Sequence, residues 1–399
     1  MKILGLIFTR GVSLAVWVEK GLLDREKQIY EEHLRQGHFD KVIWFTYGTK
    51  DDKIREMLIQ QKRLDERIEV VPMPGFFSQK FLMHLYSYRM PLFQEKYCKQ
   101  LDIIKTNQIE GAWTAEIIHR KYKIPFLLRT GYTYTSLWKE KAKKIPWSYK
   151  KAKAYWKCIK YGRIEKFLYH KCTYASVSSK HDKEYIYNQY AVPREKIGVI
   201  TNYIDCELFK DRKTEKLNGN RFIFVGRLSA EKNLFHIIQA LGELKIGLDI
   251  YGKGELQKEL MDFAEQNHYD TCFKGIVNNN ELPSIYSSYR YYILASPYEG
   301  MPKTLLEAMA CGCICFGTNV DGIQEVLRDN ETGYLIADTS VESIKSAVAA
   351  GIHREGNNRI SENAVCYIQK YHSLKKVAEE EWEIMKRMRI YEQIKKTNL

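Results

Sequence analysis

The sequence lacks several features that would place it in a special class of protein. No apolar run reaches the roughly 18 residues that a membrane-spanning helix requires. The apolar start at residues 1–8 is followed almost at once by Arg10, so it predicts a first buried strand and not a secretory leader. We therefore expect a soluble, cytoplasmic protein.

Cysteine is present, but not in the patterns that hold small folds or metal ions. Nine cysteines are scattered along 399 residues, an odd number without a C-x-x-C pair. This arrangement argues against a disulfide framework and against a zinc site. Cys311, Cys313 and Cys315 alternate in the segment CGCICF, which predicts that all three pack on one buried face of a strand.

Acidic residues are too few to balance the basic ones, and the formal net charge is +14. Such a charge favours nucleic acid, anionic lipid or phosphorylated substrates as partners. The sequence shows no helix-turn-helix, zinc or RNP-type signature that would support nucleic acid. Residues 139–171 are dense in Lys with interleaved Trp and Tyr, and residues 76–90 are also aromatic and basic. Both segments suit an anionic membrane surface, and a solvated helix with inward-facing aromatics is the structural alternative.

Length and hydrophobic pattern indicate two domains of the α/β class. At ~100–200 residues per domain, 399 residues suffice for two cores. Short apolar runs alternate with helical stretches, which predicts doubly wound parallel sheets. We place Rossmann-like domains at 1–208 and 209–370, joined through the polar stretch 211–220, and a helical segment at 371–399 that packs back toward the first domain. Predicted elements include a long helix over Val18–Arg35, strands at Arg221–Gly226 and Gly247–Tyr251, and a helix at Lys303–Ala310.

The loop after the strand at Arg221–Gly226 carries two cations, Arg227 and Lys232. Ligands of open parallel sheets bind outside the carboxyl ends of the strands, and a planar Arg with a mobile Lys suits a diphosphate there. The next strand ends in YGKGE, where Gly252 and Gly254 would let the backbone approach a ligand closely. A solvated loop with two charges is the structural alternative. No G-x-G-x-x-G fingerprint follows the first strand.

The segment SPYEGMPKTLLEAMAC, residues 296–311, is the most informative part of the chain. It predicts a turn at Glu299, then Pro302 at the first helical position of a helix whose amino end favours a phosphate. Glu307 lies about one and a half turns into that helix. The two carboxylates are therefore separated along the helix axis, which suits hydroxyls on two parts of one elongated ligand. A helix cap at Glu299 and a surface charge at Glu307 are the structural alternative.

Taken with its context, the spacing from Glu299 to Glu307 resembles the E-x7-E motif of retaining GT-B glycosyltransferases of family four, the glycosyl transferases group 1. The blocks VGRLSAEKN, IYGKGE, FKGIV, ASPYEGMPKTLLEAMACG and TNVDGIQEVLRDNETGYLI stand in the order of that family, and the similarity covers roughly residues 175–337. The resemblance implies two Rossmann-like domains that face a central cleft. It also implies transfer of a sugar from a nucleotide-diphosphate sugar.

The resemblance implies a role for each matched residue. Arg227 and Lys232 would hold the donor diphosphate, Glu299 would bind hydroxyls of the transferred sugar, and Glu307 would bind the ribose. Charge stabilisation of the leaving diphosphate by these cations and the helix end would drive catalysis, so no metal ion and no other cofactor is expected. The further donor contacts are expected at Gly11, Gly254, Ile276, Gly300, Met301, Thr304 and Leu305.

The first half of the chain departs from the family pattern in two places. Gly11 resembles a glycine that closes over the donor, but its neighbour is Arg10 where the family usually has a second glycine. A His-Asp pair that many members carry is replaced by LLRTGYTY, so the role of Arg129, Gly131 and Tyr132 is open. Before the domain hinge the match resumes, with Asn202 and Asp205 expected at the crossing.

The sequence therefore predicts a retaining glycosyltransferase that acts on a lipid-linked or growing glycan acceptor in surface polysaccharide biosynthesis. We expect it to lie on the inner face of the cell membrane as a peripheral protein. Two alternatives stay open. One is a nucleotide-sugar 2-epimerase of the same fold, and the other is a subunit that binds donor or glycan without turnover.

Overall fold

A computed structural model describes residues 1–144, 149–210, 218–352 and 354–397. The chain divides into two compact units, which we call the N-terminal unit (residues 1–200 with 378–399) and the C-terminal unit (residues 201–377). The sequence interpretation placed its divisions after residues 208 and 370, whereas the compact units divide after residues 200 and 377. Of the linker predicted at 211–220, residues 211–217 lie outside the described residues.

A parallel sheet of seven described strands forms the centre of the N-terminal unit. Its strands are short, nearly continuous apolar runs, because helices cover both faces of a parallel sheet. The strand order is β3-β2-β1-β4-β5-β6-β7. The strands are β1 Ile3–Ile7, β2 Lys41–Phe45, β3 Ile68–Val71, β4 Ile103–Thr106, β5 Phe126–Thr130, β6 Tyr174–Val177 and β7 Ile197–Val199.

The helix predicted over Val18–Arg35 is wrong, because the structure breaks this region into three short helices. Gly21 has a φ of +64°, a left-handed conformation that ends the first of them. The helices of this unit are α1 Leu14–Glu19, α2 Leu23–Glu26, α3 Gln28–Arg35, α4 Asp51–Gln60, α5 Lys80–Phe93, α6 Glu95–Cys98, α7 Ala112–Tyr122, α8 Tyr134–Lys144, α9 Tyr149–Lys171 and α10 Lys180–Tyr190.

The C-terminal unit contains a second parallel sheet, with six described strands in the order β10-β9-β8-β11-β12-β13. Together the two sheets confirm the predicted pair of Rossmann-like domains. The strands are β8 Asn218–Val225, β9 Gly247–Tyr251, β10 Thr271–Gly275, β11 Tyr289–Leu294, β12 Ile314–Thr318 and β13 Tyr334–Ile336, and the helices are α11 Leu234–Glu243, α12 Gln257–Gln266, α13 Leu282–Ser287, α14 Lys303–Ala310, α15 Asp321–Gln324, α16 Val341–Gly351 and α17 Asn357–Tyr371.

The prediction for the three cysteines is correct on burial and wrong on geometry. Cys311, Cys313 and Cys315 are all buried. Cys311 is the C-cap of α14, however, and β12 begins only at Ile314. Only Cys315 therefore lies on the strand, and the three do not share one strand face.

The last helix, α18 (Leu374–Thr397), contributes its residues from Ala378 onward to the N-terminal unit. There the Glu381 carboxylate accepts hydrogen bonds from Lys105 Nζ at 2.7 Å and from the His33 ring at 2.9 Å. All three side chains are fully buried. Lys105 lies on β4, the strand that the sequence reading missed, so α18 supplies the counter-charge for a lysine inside the sheet.

Candidate functional site

Lys232 and Glu299, both predicted to bind the nucleotide-sugar donor, lie where the strand order of the C-terminal sheet reverses. After β8 the chain builds β9 and β10 on one side, whereas β11 to β13 stand on the other side. β8 and β11 are adjacent and parallel, so their carboxyl ends meet at the same edge of the sheet. Lys232 follows β8 and Glu299 follows β11. A reversal point of this kind is where open α/β sheets bind ligands.

Lys232 and Glu299 form a direct ion pair between these two loops. Lys232 ends a 3-10 turn, Ala230–Lys232, and Asn233 follows in the left-handed conformation to start α11. Only 20% of the Lys232 side chain and 12% of the Glu299 side chain are exposed. The pairing holds the ammonium beside the turn that leads into α14.

Arg227 takes a different position from Lys232. Its side chain is 75% exposed, and Nη1 lies 3.8 Å from a Glu231 carboxylate oxygen. The structure therefore brings Lys232 to Glu299, but it shows Arg227 as a solvent-facing side chain paired loosely within its own loop. A long, exposed Arg keeps the freedom to move toward an anionic ligand.

The helix α14 has the predicted bounds, but Pro302, predicted at its first helical position, is its N-cap. The first-turn amide N–H groups of a helix have no acceptor within the helix, so those at Lys303, Thr304 and Leu305 are donors for a ligand at this end. Leu305 is fully buried in the core, and the Thr304 hydroxyl lies 2.9 Å from the Tyr292 hydroxyl. These contacts fix the first turn of the helix.

Glu307 is 4% exposed and accepts a hydrogen bond from the Tyr286 hydroxyl at 3.1 Å. Burial, followed by the Glu307 charge, raises the pKa of Tyr286 well above its ordinary value, so the phenol stays protonated and donates. The predicted ribose ligand is thus not the surface charge of the structural alternative. Tyr286 is a contact that the sequence reading missed, because no motif marks it.

At two positions of this site the backbone packs so closely that a side chain would not fit. A Cβ on Gly254 would lie 2.1 Å from the Leu228 carbonyl oxygen, inside the loop that carries the two cations. A Cβ on Gly322 would lie 2.0 Å from the Gly300 carbonyl oxygen. Gly322 was not predicted as a site residue, although it stands in the TNVDG block. Side chains at these positions would push the loops apart.

Asn202, near the start of the C-terminal unit, also stabilises the turn before α14. The Asn202 side-chain amide donates to the Met301 carbonyl oxygen at 2.8 Å. Asp205, predicted beside it, instead accepts from the Glu207 backbone N–H at 3.0 Å and caps its own turn. Ile276, predicted near the base, follows β10 and is exposed.

The predicted residues of the N-terminal unit lie at the carboxyl ends of β1 and β5. Gly11 has a φ of +81°, a conformation that favours glycine. The Gly131 carbonyl accepts from the Ser178 hydroxyl at 2.7 Å, and Tyr132 packs on Tyr134 with ring centroids 5.2 Å apart. Arg129 is half-buried on β5. The donor role of Gly11 stays a prediction.

The basic, aromatic segment at 139–171 is partly described. It comprises the end of α8 and α9, and residues 145–148 lie outside the described residues. Trp156 is 73% exposed, and Tyr155, Ile159 and Phe167 are also exposed. The alternative with inward-facing aromatics therefore does not hold for Tyr155 and Trp156. Within the described ranges, no helix is both long and apolar enough to cross a bilayer.

A family model, Glycosyl transferases group 1, matches residues 206–365. This part of the chain therefore carries the domain of that family. It is 27% identical over 348 residues to an uncharacterized glycosyltransferase of Methanocaldococcus jannaschii, covering 81% of this chain and 82% of that one. It is also 27% identical over 307 residues to the UDP-Gal:alpha-D-GlcNAc-diphosphoundecaprenol alpha-1,3-galactosyltransferase of Escherichia coli, covering 72% and 73% of the two chains.

Comparison with solved structures supports the two-domain fold described above. The Anabaena protein HepE in complex with UDP superposes with a TM-score of 0.72 over 97% of this chain and 100% of that one, at 16% identity. At that identity the likeness shows the fold only, and it agrees with the two parallel sheets. The glycosyltransferase therefore has the two-domain GT-B fold.

Proposed function

We propose that this glycosyltransferase moves a hexose-type sugar, with retention of configuration, from a UDP-sugar to a lipid-linked or growing glycan in surface polysaccharide assembly. The ion pair of Lys232 with Glu299 at the amino end of α14 carries the proposal. The names of similar proteins support its details, because the Escherichia coli relative is named for UDP-Gal and a diphosphoundecaprenol acceptor and the Anabaena structure contains UDP.

In the proposed reaction, the bond between sugar C1 and the β-phosphate oxygen breaks while an acceptor hydroxyl oxygen bonds to C1. The leaving diphosphate gains negative charge as the bond to C1 breaks, and its β-phosphate oxygen takes the proton that the acceptor hydroxyl loses. Lys232, the amide N–H groups of α14 and a relocated Arg227 offset that charge, so they stabilise the transition state more than the ground state. The phosphate displaces Glu299 from Lys232 as it binds. Glu299 then accepts hydrogen bonds from hydroxyls of the transferred sugar.

Glu307 anchors the other end of the donor in this proposal. Its carboxylate already accepts from Tyr286, and carboxylate oxygens have further lone pairs for the two ribose hydroxyls. Pairing at the ribose and at the sugar sets the position of the diphosphate between them. We propose that no metal ion is required, because cations of the chain and the helix end neutralise the phosphates. Chelation with EDTA should then leave turnover unchanged, and restoration of lost activity by Mg²⁺ would count against this point.

The experiment that tests the function starts from a thermal-shift panel of UDP-, GDP- and ADP-sugars. A ligand of the folded state raises its stability by mass action, so the correct nucleotide gives the largest shift. Transfer from the selected donor to diphosphoundecaprenol-linked saccharides is then followed, with the anomeric configuration of the product read by NMR. Product with inverted configuration would refute retention, and absence of transfer from every donor would refute the enzyme assignment.

The same protein and nucleotide sugars also distinguish the two alternative functions. A 2-epimerase would convert UDP-GlcNAc to its epimer without an acceptor, which NMR of the nucleotide sugar detects. A non-catalytic subunit would bind UDP and show neither epimer nor transfer. The complete set Arg227, Lys232, Glu299 and Glu307 favours turnover over both.

We also propose that the N-terminal unit binds an anionic membrane surface peripherally, on the cytoplasmic face. Trp156, Ile159 and Phe167 recur at helical spacing on the exposed side of α9, with Lys160 and Arg163 exposed between them. Aromatic rings at the boundary and cations toward the headgroups suit an interfacial helix. Such binding would place the enzyme beside a lipid-linked acceptor.

A further inference from the structure

Two polar side chains of α14 each have a buried tyrosine as a hydrogen-bond partner. Thr304 and Glu307 are three residues apart, so they lie on the same side of the helix. The Tyr286 hydroxyl donates to Glu307 at 3.1 Å, and the Tyr292 hydroxyl lies 2.9 Å from the Thr304 hydroxyl. Both phenol rings are fully buried, and they meet edge to face with centroids 6.1 Å apart. Tyr292 therefore stands to Thr304 as Tyr286 stands to Glu307.

Burial decides the direction of the hydrogen bond between Tyr292 and Thr304. It raises the pKa of Tyr292 well above its ordinary value, so the phenol keeps its proton. A buried O–H group without an acceptor costs free energy. Among the residues that the structure describes, the Thr304 oxygen is the hydrogen-bond partner of the Tyr292 hydroxyl. The phenol therefore donates, and the Thr304 oxygen accepts.

The Thr304 hydroxyl is left with its own proton to donate. Apart from Tyr292, it has no hydrogen-bond partner in the described part of the chain. The side chain is partly exposed in the first turn of α14, where the Thr304 backbone N–H also lacks an acceptor within the helix. Thr304 thus offers an N–H and an O–H donor at the helix end that favours an anion.

The two phenols give the two polar positions of this helix face opposite hydrogen-bonding character. Glu307 accepts from Tyr286 and keeps carboxylate lone pairs that accept further hydrogen bonds. Thr304 accepts from Tyr292 and directs its own proton away from the core as a donor. Phosphate oxygens accept hydrogen bonds, whereas ribose hydroxyls can donate them. The pattern therefore matches a nucleoside diphosphate whose phosphates lie at the amino end of α14.

We propose that Tyr292 is a positioning residue of the donor site, which orients the Thr304 hydroxyl so that it donates to a phosphate oxygen. This inference rests on the proposed transferase function, and it adds a side-chain donor to Lys232 and the backbone amides. Without the phenol, the Thr304 hydroxyl would turn back to a carbonyl of the preceding helical turn, as threonines in helices often do. The phosphate would then lose this hydrogen bond.

The test compares the binding of UDP and of uridine, which lacks the diphosphate, in calorimetric titrations of the full chain. Thr304→Val keeps the shape of the side chain without its hydroxyl, and Tyr292→Phe keeps the ring without its hydroxyl. Each variant should weaken UDP binding about tenfold and leave uridine binding unchanged, because a hydrogen bond to a charged group is lost. Thr304→Ser keeps the hydroxyl and should bind UDP as the wild type does.

A double variant separates positioning from a merely structural role. Once Thr304 is replaced by Val, the additional change Tyr292→Phe should cost no further UDP affinity, because the phenol acts through the Thr304 hydroxyl. Losses that multiply in the double variant would overturn the proposal. Should Tyr292→Phe not fold, wild-type UDP affinity in Thr304→Val would overturn it as well.

Tyr291→Phe is the matched control on the same strand. Tyr291 is the neighbour of Tyr292 in β11, so its side chain lies on the other face of the sheet. Its hydroxyl donates to the Ile352 carbonyl, and its removal deletes a similar hydrogen bond away from α14. Both affinities should stay at their wild-type values. An equal loss of UDP affinity in Tyr291→Phe and Tyr292→Phe would indicate general loosening and overturn the proposal.

Lys232→Ala distinguishes failure of this inference from failure of the proposed function. If Lys232→Ala loses the preference for UDP over uridine while Tyr292→Phe and Thr304→Val keep it, the positioning role alone is refuted. If the wild type itself shows no preference for UDP over uridine, the proposed donor site is refuted.

Discussion

Lys232 and Glu299 lie 67 residues apart in the sequence and form an ion pair. The proposed function depends on this pair. An ammonium that already has a carboxylate partner is held in place before a donor arrives. We propose that a diphosphate, which carries more charge than one carboxylate, competes for Lys232 and frees Glu299 to accept hydrogen bonds from sugar hydroxyls. In this proposal the ion pair holds both side chains in position before the donor binds.

Lys232→Ala and Arg227→Ala should each lower kcat about 10²- to 10³-fold, equivalent to ~3–4 kcal/mol of lost charge stabilisation. Steady-state kinetics with saturating donor measure this. Lys258→Ala, an exposed lysine on α12, is the control and should keep wild-type turnover. Near-wild-type kcat in both site variants would show that the cations do not meet the leaving group.

Glu307→Ala should weaken UDP binding and abolish the preference for UDP over 2′-deoxy-UDP, since its carboxylate is proposed to hold the ribose. Tyr286→Phe should give a smaller, several-fold loss, because the phenol only orients Glu307. Calorimetric titration of both nucleotides measures the two effects. Glu259→Ala on the exposed side of α12 is the control. A Glu307→Ala protein that still prefers UDP would place the ribose elsewhere.

At the scale of elements, the sequence predicts best where hydrophobic period and capping signals agree. The bounds of α14 and β9 match the predictions to the residue, because apolar periodicity and turn residues coincide there. β4 was missed because Lys105 interrupts its apolar run, and its counter-charge comes from Glu381, 276 residues away. The broken helix at 14–35 shows the opposite error, since its helical pattern continues across a left-handed Gly21.

Glu381→Gln should destabilise the N-terminal unit by ~3–5 kcal/mol, because Lys105 would stay buried without a counter-charge. Burial pushes the pKa of Glu381 up, but Lys105 and His33 outweigh it and hold the pKa well below its ordinary value. A depressed carboxyl pKa contributes stability that is complete above the unfolded value of ~4.3 and is lost as the pH falls toward the folded value. Urea unfolding from pH 7 to pH 3 measures both effects.

The variant Glu381→Gln should therefore show a flatter loss of stability with acid than the wild type. Glu383→Gln is the control on the same helix, because its pair with Lys386 is about half exposed and screened by solvent, so it contributes little to stability. Equal stabilities of the wild type and Glu381→Gln at pH 7 would show that the buried pair does not hold α18.

For the whole molecule, each unit has one reversal of strand order, and each reversal carries a charged pair. Lys232 and Glu299, which pair after β8 and β11, were singled out from the sequence because a family motif surrounds them. The pair of Arg10 with Glu110 was not found, since its partners are 100 residues apart and no motif joins them. Topology is what brings such residues together, and the sequence patterns did not predict β4 or the strand order.

Membrane binding belongs to this scale because it depends on a whole surface. The protein should float with vesicles that contain anionic lipid at low salt, and should be released at high salt as screening weakens the attraction. Trp156→Ala should lower the bound fraction. Tyr371→Ala, an exposed aromatic of the C-terminal unit, should not. Absence of flotation at low salt would refute the membrane proposal without affecting the donor site.

The central claim is that a diphosphate binds at the amino end of α14 against Lys232. Calorimetric titration of UDP and of uridine, with the wild type and with Lys232→Ala, tests it most directly. The account predicts that the wild type binds UDP far more tightly than uridine, and that Lys232→Ala removes most of this difference while leaving uridine binding unchanged. An equal preference for UDP in both proteins would contradict the account.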